Sequence, residues 1–361
     1  MTSAPSPPKP ASSPPPPGPT LAAARRALGL RPWWRALAVG IVLAVGPAAC
    51  SVPDAPEEAA AGSTPEDGRT PEAGGPKRNA PTAPAAPTRR ELRVDGVERS
   101  YLLHRPRAAG TKRMPLVVAF HGRGADAAGL RAMSRLDSAA RARGMVVAFP
   151  EGLHSGWGAG TAKTRGRPDP DADVRFTEAL VADLVRTERA DPDRVHVTGF
   201  SNGGSMALRV AAQRPGLVAG AAAVSGQLPG GAAEVNPTGP VPTLIIYGAD
   251  DPVRPLEGLA TPAPAPEGQE PVTPTRSARA SAEAFAAAAG ARRPTLRAEA
   301  GYDRTTWRNG TDLAAELLVV RGAGHTWPGS SVPARPGFGR TSTALDATAT
   351  VLDFLAPRSH R

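Results

Sequence analysis

Cysteine and aromatic residues are scarce in this chain. Its 361 residues include one cysteine, Cys50, so neither an intramolecular disulfide nor a cysteine-based metal site can form. Aromatics make up 4% of the chain, which makes the position of each one informative. No basic stripe interleaved with aromatics occurs. The residues behind the net charge of +10 are overwhelmingly arginine and are scattered along the chain, which excludes a nucleic-acid-binding footprint. There is no internal repeat.

What is present divides near residue 90. Residues 1–88 are rich in Pro, Ala, Ser and Gly and show no regular apolar period. Arg25, Arg26, Arg31 and Arg35 precede an apolar run over 36–46, and no acidic residue comes before position 54. A positive segment, a short apolar core and small residues make a secretory signal. The run is well short of the ~20 residues that span a bilayer. Ala48-Ala49 directly before Cys50 resembles a bacterial lipobox, in which the cysteine is lipidated and becomes the mature N-terminus. Pro47 stands where that pattern prefers Leu. The expectation is an export segment over 1–50 and a Pro/Ala-rich linker over 51–88. Flexible, that linker reaches roughly 35 Å; stiffened towards polyproline it exceeds about 100 Å. Contact with a membrane is expected only through this lipid anchor.

Residues 89–361 are ample for one α/β domain. The stretches 91–94 and 97–104, joined by Asp95-Gly96, read as a type I′ hairpin. Apolar strands are predicted at 115–120, 145–149, 217–224 and 241–247, and further strands at 295–300 and 314–320. A helix is predicted over about 129–142. Val174, Phe176–Leu180 and Leu184 keep helical spacing, and Asp191-Pro192 is expected to end that helix. Residues 151–172 and 256–275 read as loops, and 278–289 and 342–355 as helices. Alternating strands and helices predict a single domain with a mostly parallel, doubly wound sheet covered by helices on both faces.

The strand before Gly199-Phe200-Ser201-Asn202-Gly203 and the helical run after it give this G-x-S-x-G the context of a nucleophile elbow. Glycines at 199 and 203 keep Cβ atoms out of a turn that packs against neighbouring backbone. A serine hydroxyl needs a base, and the base an orienting acid. In α/β-hydrolases these follow the serine in the order acid, then histidine. Four of the six histidines precede Ser201 and His360 is at the terminus; His325 is left. The strand at 241–247 leads into Asp250-Asp251-Pro252, where either carboxylate can serve. The proline turns Asp251 outward and favours it over Asp250. The backbone N–H of Asn202 and that of Arg123, in His121-Gly122-Arg123-Gly124, are the candidate oxyanion donors. His121 is expected to be a structural hydrogen-bonder beneath that loop. Trp157 and Trp327, in loops of the rim, are candidate substrate walls.

Together, Phe120-His121-Gly122, Asp193-Arg194-Val195, Gly199-Phe200-Ser201-Asn202-Gly203-Gly204, Gly248-x-x-Asp251-Pro252-Val253 and Gly324-His325-Thr326-Trp327-Pro328-Gly329 carry a resemblance to the polyhydroxybutyrate depolymerase family of esterases. That family is similar to the feruloyl and acetylxylan esterases of carbohydrate esterase family one. The resemblance spans nearly all of residues 90–356. It implies an α/β-hydrolase fold, Ser201, Asp251 and His325 as the triad, the Arg123 loop as oxyanion hole, and no metal or organic cofactor. Trp157 and Asp173-Val174-Arg175-Phe176 match further family positions. Where many relatives carry cysteines, this chain reads Gly160-Thr161-Ala162-Lys163 and Ala289-Gly290-Ala291, so the family's disulfides are not expected. No polymer-binding module follows residue 356, so soluble esters are expected rather than crystalline polyester.

The expected activity is serine carboxylic-ester hydrolysis on short hydroxyalkanoate or other small esters. The alternatives are a feruloyl or acetylxylan esterase, a peptidase on the same fold, and a non-catalytic surface-binding module. Oligomeric state is left open.

Overall fold

The computed structural model describes residues 87–106, 112–262 and 272–360. The expected export segment, Cys50 and all but the last two residues of the expected linker lie outside these residues. At the expected domain boundary the first strand, β1 (Thr88–Val94), begins one residue earlier than residue 89. It pairs antiparallel with β2 (Val97–His104). Asp95 and Gly96 between them take φ of 52° and 80°, the two left-handed residues a type I′ turn requires.

Six strands make the parallel centre: β3 (Met114–Phe120), β4 (Val146–Pro150), β5 (Ala190–Phe200), β6 (Gly220–Val224), β7 (Thr243–Gly248) and β10 (Asp312–Val320). With β8 (Pro294–Glu299) and β9 (Tyr302–Asn309) they give the order β1-β2-β4-β3-β5-β6-β7-β10-β9-β8. The outer pairs at each end run antiparallel to their neighbours. Successive residues of a strand point to opposite faces, and here both faces are buried. Leu116, Val118 and Phe120 join one apolar cluster with α3 (Ala172–Thr187), α4 (Asn202–Gln213) and α5 (Ala278–Ala288). Val117 and Ala119 join the other with α1 (Ala127–Ser134), α2 (Leu136–Ala142) and α6 (Ala347–Leu355). Strands buried on both faces read as continuous apolar runs, as β3 and β7 do. This is the α/β-hydrolase fold.

Several expectations need correction. The helix expected at 129–142 is two, because Arg135 between them sits at φ 52°, a left-handed conformation that ends one helix and starts the next. Helix α3 stops at Thr187; Asp191-Pro192 belongs to the start of β5, not to the helix end. Strand β9 was not expected at all. Its sequence, YDRTTWRN, buries only Thr305 and Trp307, too sparse a pattern to stand out from a loop. The last helix starts at Ala347, not 342, where the Asp346 carboxylate accepts from the N–H groups of Thr348 and Ala349. In the Pro-rich stretch Leu259 and Thr275 bond each other across its base, and residues 263–271 lie outside the described residues.

After β3 the chain adds β4 on one side and then β5 on the other. The C-terminal ends of β3 and β5 therefore flank a topological switch point, the place where open α/β sheets bind ligands.

Candidate active site

Ser201 joins β5 to α4 with φ 55° and ψ −118°, a conformation an L-residue holds at a cost of about 1–3 kcal/mol. The turn is held from both sides. Ser201 N–H donates to Val224 O at 2.9 Å and Ser205 N–H donates to Ser201 O at 2.9 Å. The flanking glycines have no room for a side chain. A Cβ on Gly203 would lie 2.1 Å from Phe120 O, and one on Gly199 2.4 Å from Gly203 O. Strand, turn and helix thus pack backbone against backbone, and the hydroxyl is left facing a cavity of about 440 Å³.

Two loops converge there. β7 ends at Gly248, and after β10 the chain passes Gly324. A Cβ on Gly248 would come within 2.3 Å of Gly324 O, so only glycine lets the two loops touch. The contact sets His325 beside Asp251. His325 Nε2 is 2.7 Å from Ser201 Oγ, and His325 Nδ1 is 2.6 Å from Asp251 Oδ2. The hydrogen-bond pattern assigns the proton to Nδ1, donating to the carboxylate, and leaves Nε2 to accept from the serine. Asp251 Oδ1 accepts from the N–H groups of Val253 and Arg254 at 2.9 and 2.8 Å. Both side chains are buried, and the rings of Phe200 and Phe338 flank the imidazole at 5.1 and 5.3 Å. Asp250, the alternative acid, has its residue exposed and bonds Ala323 O only through its backbone.

Arg123 and Asn202 line the same cavity as Ser201 and His325. The Asn202 side chain is occupied: it accepts from Trp157 N–H at 2.7 Å and donates to Trp157 O at 3.1 Å. Beneath the Arg123 loop, His121 Nδ1 donates to Gly122 O at 2.8 Å while Nε2 accepts from Gly152 N–H at 2.9 Å. That pattern requires a neutral ring, and burial pushes its pKa down accordingly.

Trp157, expected as a wall, does not line this cavity but lines the small pocket beside it, which shares Arg123 and Asn202. The residue is 3% exposed, its Nε1 donates to His121 O at 2.9 Å, and its ring meets Phe120 edge-on. It braces the loop from below, which a tryptophan with a buried N–H partner does well. Trp327 does line the cavity, with Nε1 donating to Thr348 Oγ1 at 3.0 Å. The remaining wall is largely apolar, with Leu130, Met133, Phe200 and Phe338 inside and the exposed Val253 and Val332 at its edge.

Two residues escaped the reading of the sequence. Arg209 on α4 donates from Nη1 to the carbonyls of Gly158, Gly160 and Pro170 at 2.6, 2.7 and 2.6 Å, and pairs with Asp171. One buried guanidinium thereby ties down the loop that has no disulfide. Asp173 adds to this, accepting from Gly158 N–H at 2.7 Å and from Arg99 at 2.9 Å. Arg254, three residues after Asp251, lines the cavity and donates from Nη1 to Ser205 Oγ at 2.9 Å. Nothing in a sequence so rich in arginine distinguishes either one. Among the described residues no group of three or more His, Cys, Asp or Glu is placed to hold a metal ion.

A mostly parallel sheet that delivers a serine on a left-handed strand-to-helix turn defines the class: this is an α/β-hydrolase. The family described as "Putative esterase" matches residues 96–234. "Putative esterase NocK" of Nocardia uniformis subsp. tsuyamanensis is 44% identical over 294 residues, covering 78% of this chain and 86% of that protein. The chain belongs to this esterase family, and it is a carboxylic-ester hydrolase. Feruloyl esterase C of Emericella nidulans is 34% identical over 123 residues, 34% of this chain and 42% of that protein. The acetyl xylan esterase from Aspergillus awamori superposes with a TM-score of 0.48 at 16% identity, over 66% of this chain and 94% of that one.

Proposed function

We propose that this is an exported serine esterase acting through Ser201, His325 and Asp251 on small soluble esters of the short hydroxyalkanoate kind. One observation carries the reading: an unbroken chain of hydrogen bonds, 2.7 and then 2.6 Å, runs from Ser201 Oγ through His325 to Asp251. Ser201 Oγ attacks the ester carbonyl as His325 Nε2 takes its proton. The resulting imidazolium is stabilised by Asp251, whose second oxygen is already held by two backbone donors. His325 then hands the proton to the leaving alcohol. A water molecule, deprotonated by the same nitrogen, releases the acid from the acyl-enzyme. The backbone N–H groups of Asn202 and Arg123 are assigned to the oxyanion, on the strength of their place at the helix start and the facing loop. Every proton moves through His325, so the route draws on no metal or organic cofactor.

The choice of small esters rests on cavity volume: about 440 Å³ falls at the lower end of the range for small-molecule sites. Export and a lipid anchor at Cys50 rest on the positive segment, short apolar run and small residues before that cysteine. A second reading, feruloyl ester hydrolysis, is favoured by the likeness to feruloyl esterase C and by the apolar wall. The test is hydrolysis of chromogenic acetate and butyrate esters by residues 87–361, beside Ser201→Ala. Turnover is expected in the parent and a loss of several orders of magnitude in the variant; equal rates in the two would sink the assignment. Methyl ferulate set against 3-hydroxybutyrate esters then separates the two substrate readings.

A further inference from the structure

Three arginines are buried among the described residues: Arg99, Arg209 and Arg254. A guanidinium stays charged at any ordinary pH, and burying one without an opposite charge costs several kcal/mol. Arg99 meets this cost with Asp173 at 2.9 Å, and Arg209 meets it with Asp171. Arg254 does not. Its residue is 7% exposed, and its guanidinium donates to the neutral hydroxyl of Ser205 at 2.9 Å. No described carboxylate forms an ion pair with it. Asp251 is the nearby acid, and both its oxygens are taken, one by His325 and the other by backbone N–H groups, including that of Arg254. Burial is what most disfavours the Arg254 charge; Arg123, in the same walls, acts in the same sense, and Asp251 acts against it.

The location gives this imbalance a use. Arg254 lines the Ser201 cavity, and it also lines a small side pocket of about 50 Å³ that shares Arg123 and Asn202. Ser205, its hydrogen-bond partner, is one helical turn past Ser201, a rise of about 5–6 Å. A buried positive charge thus stands in the wall of the cavity that the serine faces, where charge interactions are stronger than in water.

Resting on the esterase reading above, we propose that Arg254 is a specificity-determining residue that receives a carboxylate on the substrate. The substrate class is then an ester that carries a free acid, such as a linear hydroxyacid dimer or the half-ester of a diacid. The neutral Ser205 hydroxyl holds the guanidinium in place without cancelling its charge. The apolar wall accepts the carbon chain between the acid and the scissile bond. Feruloyl and acetyl esters of neutral sugars lack the acid and are disfavoured by the same argument.

The experiment compares matched pairs on the parent enzyme: 3-hydroxybutyrate dimer against its methyl ester, and 4-nitrophenyl hemisuccinate against 4-nitrophenyl methyl succinate. In at least one pair the acid is expected to show kcat/KM ten-fold or more above the neutral ester. In Arg254→Gln that ratio should fall to near one, and Arg254→Lys should restore part of it. The ratio is internal to each protein, so a change in folded fraction cannot mimic the effect. If Arg254→Gln does not fold, the parent's own preference decides. No preference for the acid in either pair overturns the proposal, as does a preference that survives in Arg254→Gln. A loss of kcat on the neutral ester with no acid preference would instead assign Arg254 to the oxyanion, and would also overturn it. If the parent hydrolyses neither member of any pair nor a chromogenic butyrate, the esterase assignment itself fails, an outcome distinct from the others.

Discussion

Gly203→Ala tests the elbow most directly, because one methyl group meets two backbone carbonyls. An added Cβ would stand 2.1 Å from Phe120 O and 2.4 Å from His121 O. Real Cβ atoms essentially never approach within 3.0 Å, so the backbones must part by at least 0.9 Å, the difference between 3.0 and 2.1. Neither carbonyl can rotate away: one ends β3 and the other accepts the Trp157 indole. Overpacking against backbone on both sides costs about 3 kcal/mol, the upper end of the usual range. For a domain of this size that lowers Tm by about 10 °C. The same displacement moves Ser201 relative to the Arg123 loop, and a misplacement near 1 Å costs about 10²-fold in kcat. The assay is thermal unfolding beside kcat on a chromogenic butyrate, with Gly216→Ala as the control. A Cβ at Gly216 meets nothing within 4 Å, so that variant should match the parent. A Gly203→Ala enzyme with the parent's Tm and kcat would refute the packing account of the elbow.

Asp251→Asn should keep the fold and KM but lower kcat by about 10⁴-fold, because the amide stabilises the wrong imidazole tautomer and no imidazolium; a loss under ten-fold in steady-state assays would argue that another group orients His325. Arg209→Met removes the donor to three carbonyls, which should cost about 3–5 kcal/mol and expose residues 158–171 to limited proteolysis. Unchanged cleavage and Tm would mean the loop holds itself. Burial lowers the pKa of His104, His121 and His196, the last to about 3. The His196 ring is neutral in the fold and gains its proton chiefly on unfolding as pH falls below the ordinary 6.5; His104 and His121 act in the same direction. The unfolded chain then binds more protons, so stability is greatest above that pH and is lost between 6.5 and about 3. Between pH 6.5 and 5, Tm should drop in the parent and drop less steeply in His196→Gln; equal slopes would show that His196 contributes nothing.

Local chemistry was legible without a structure wherever a residue type had one use. Asp95-Gly96 has few conformations besides a type I′ turn, and the apolar runs of β3 and β7 are too short for helices and too continuous for surface. Gly199 and Gly203 around a serine say that backbone passes close by, and the order of Ser201, Asp251 and His325 says how many loops must meet. What the chain alone could not reveal depends on which atoms become neighbours. Trp157 reads as a rim residue because it lies in a loop, yet folding sends its indole under His121. Strand β9 is a strand because β10 and β8 offer it hydrogen bonds, not because of its own pattern. Arg209 and Arg254 are chemically identical in sequence, and only tertiary packing gives one a carboxylate and three carbonyls and leaves the other with a lone hydroxyl. Backbone preference and apolar period are properties of a few adjacent residues, whereas burial and charge balance depend on partners brought in from distant parts of the chain.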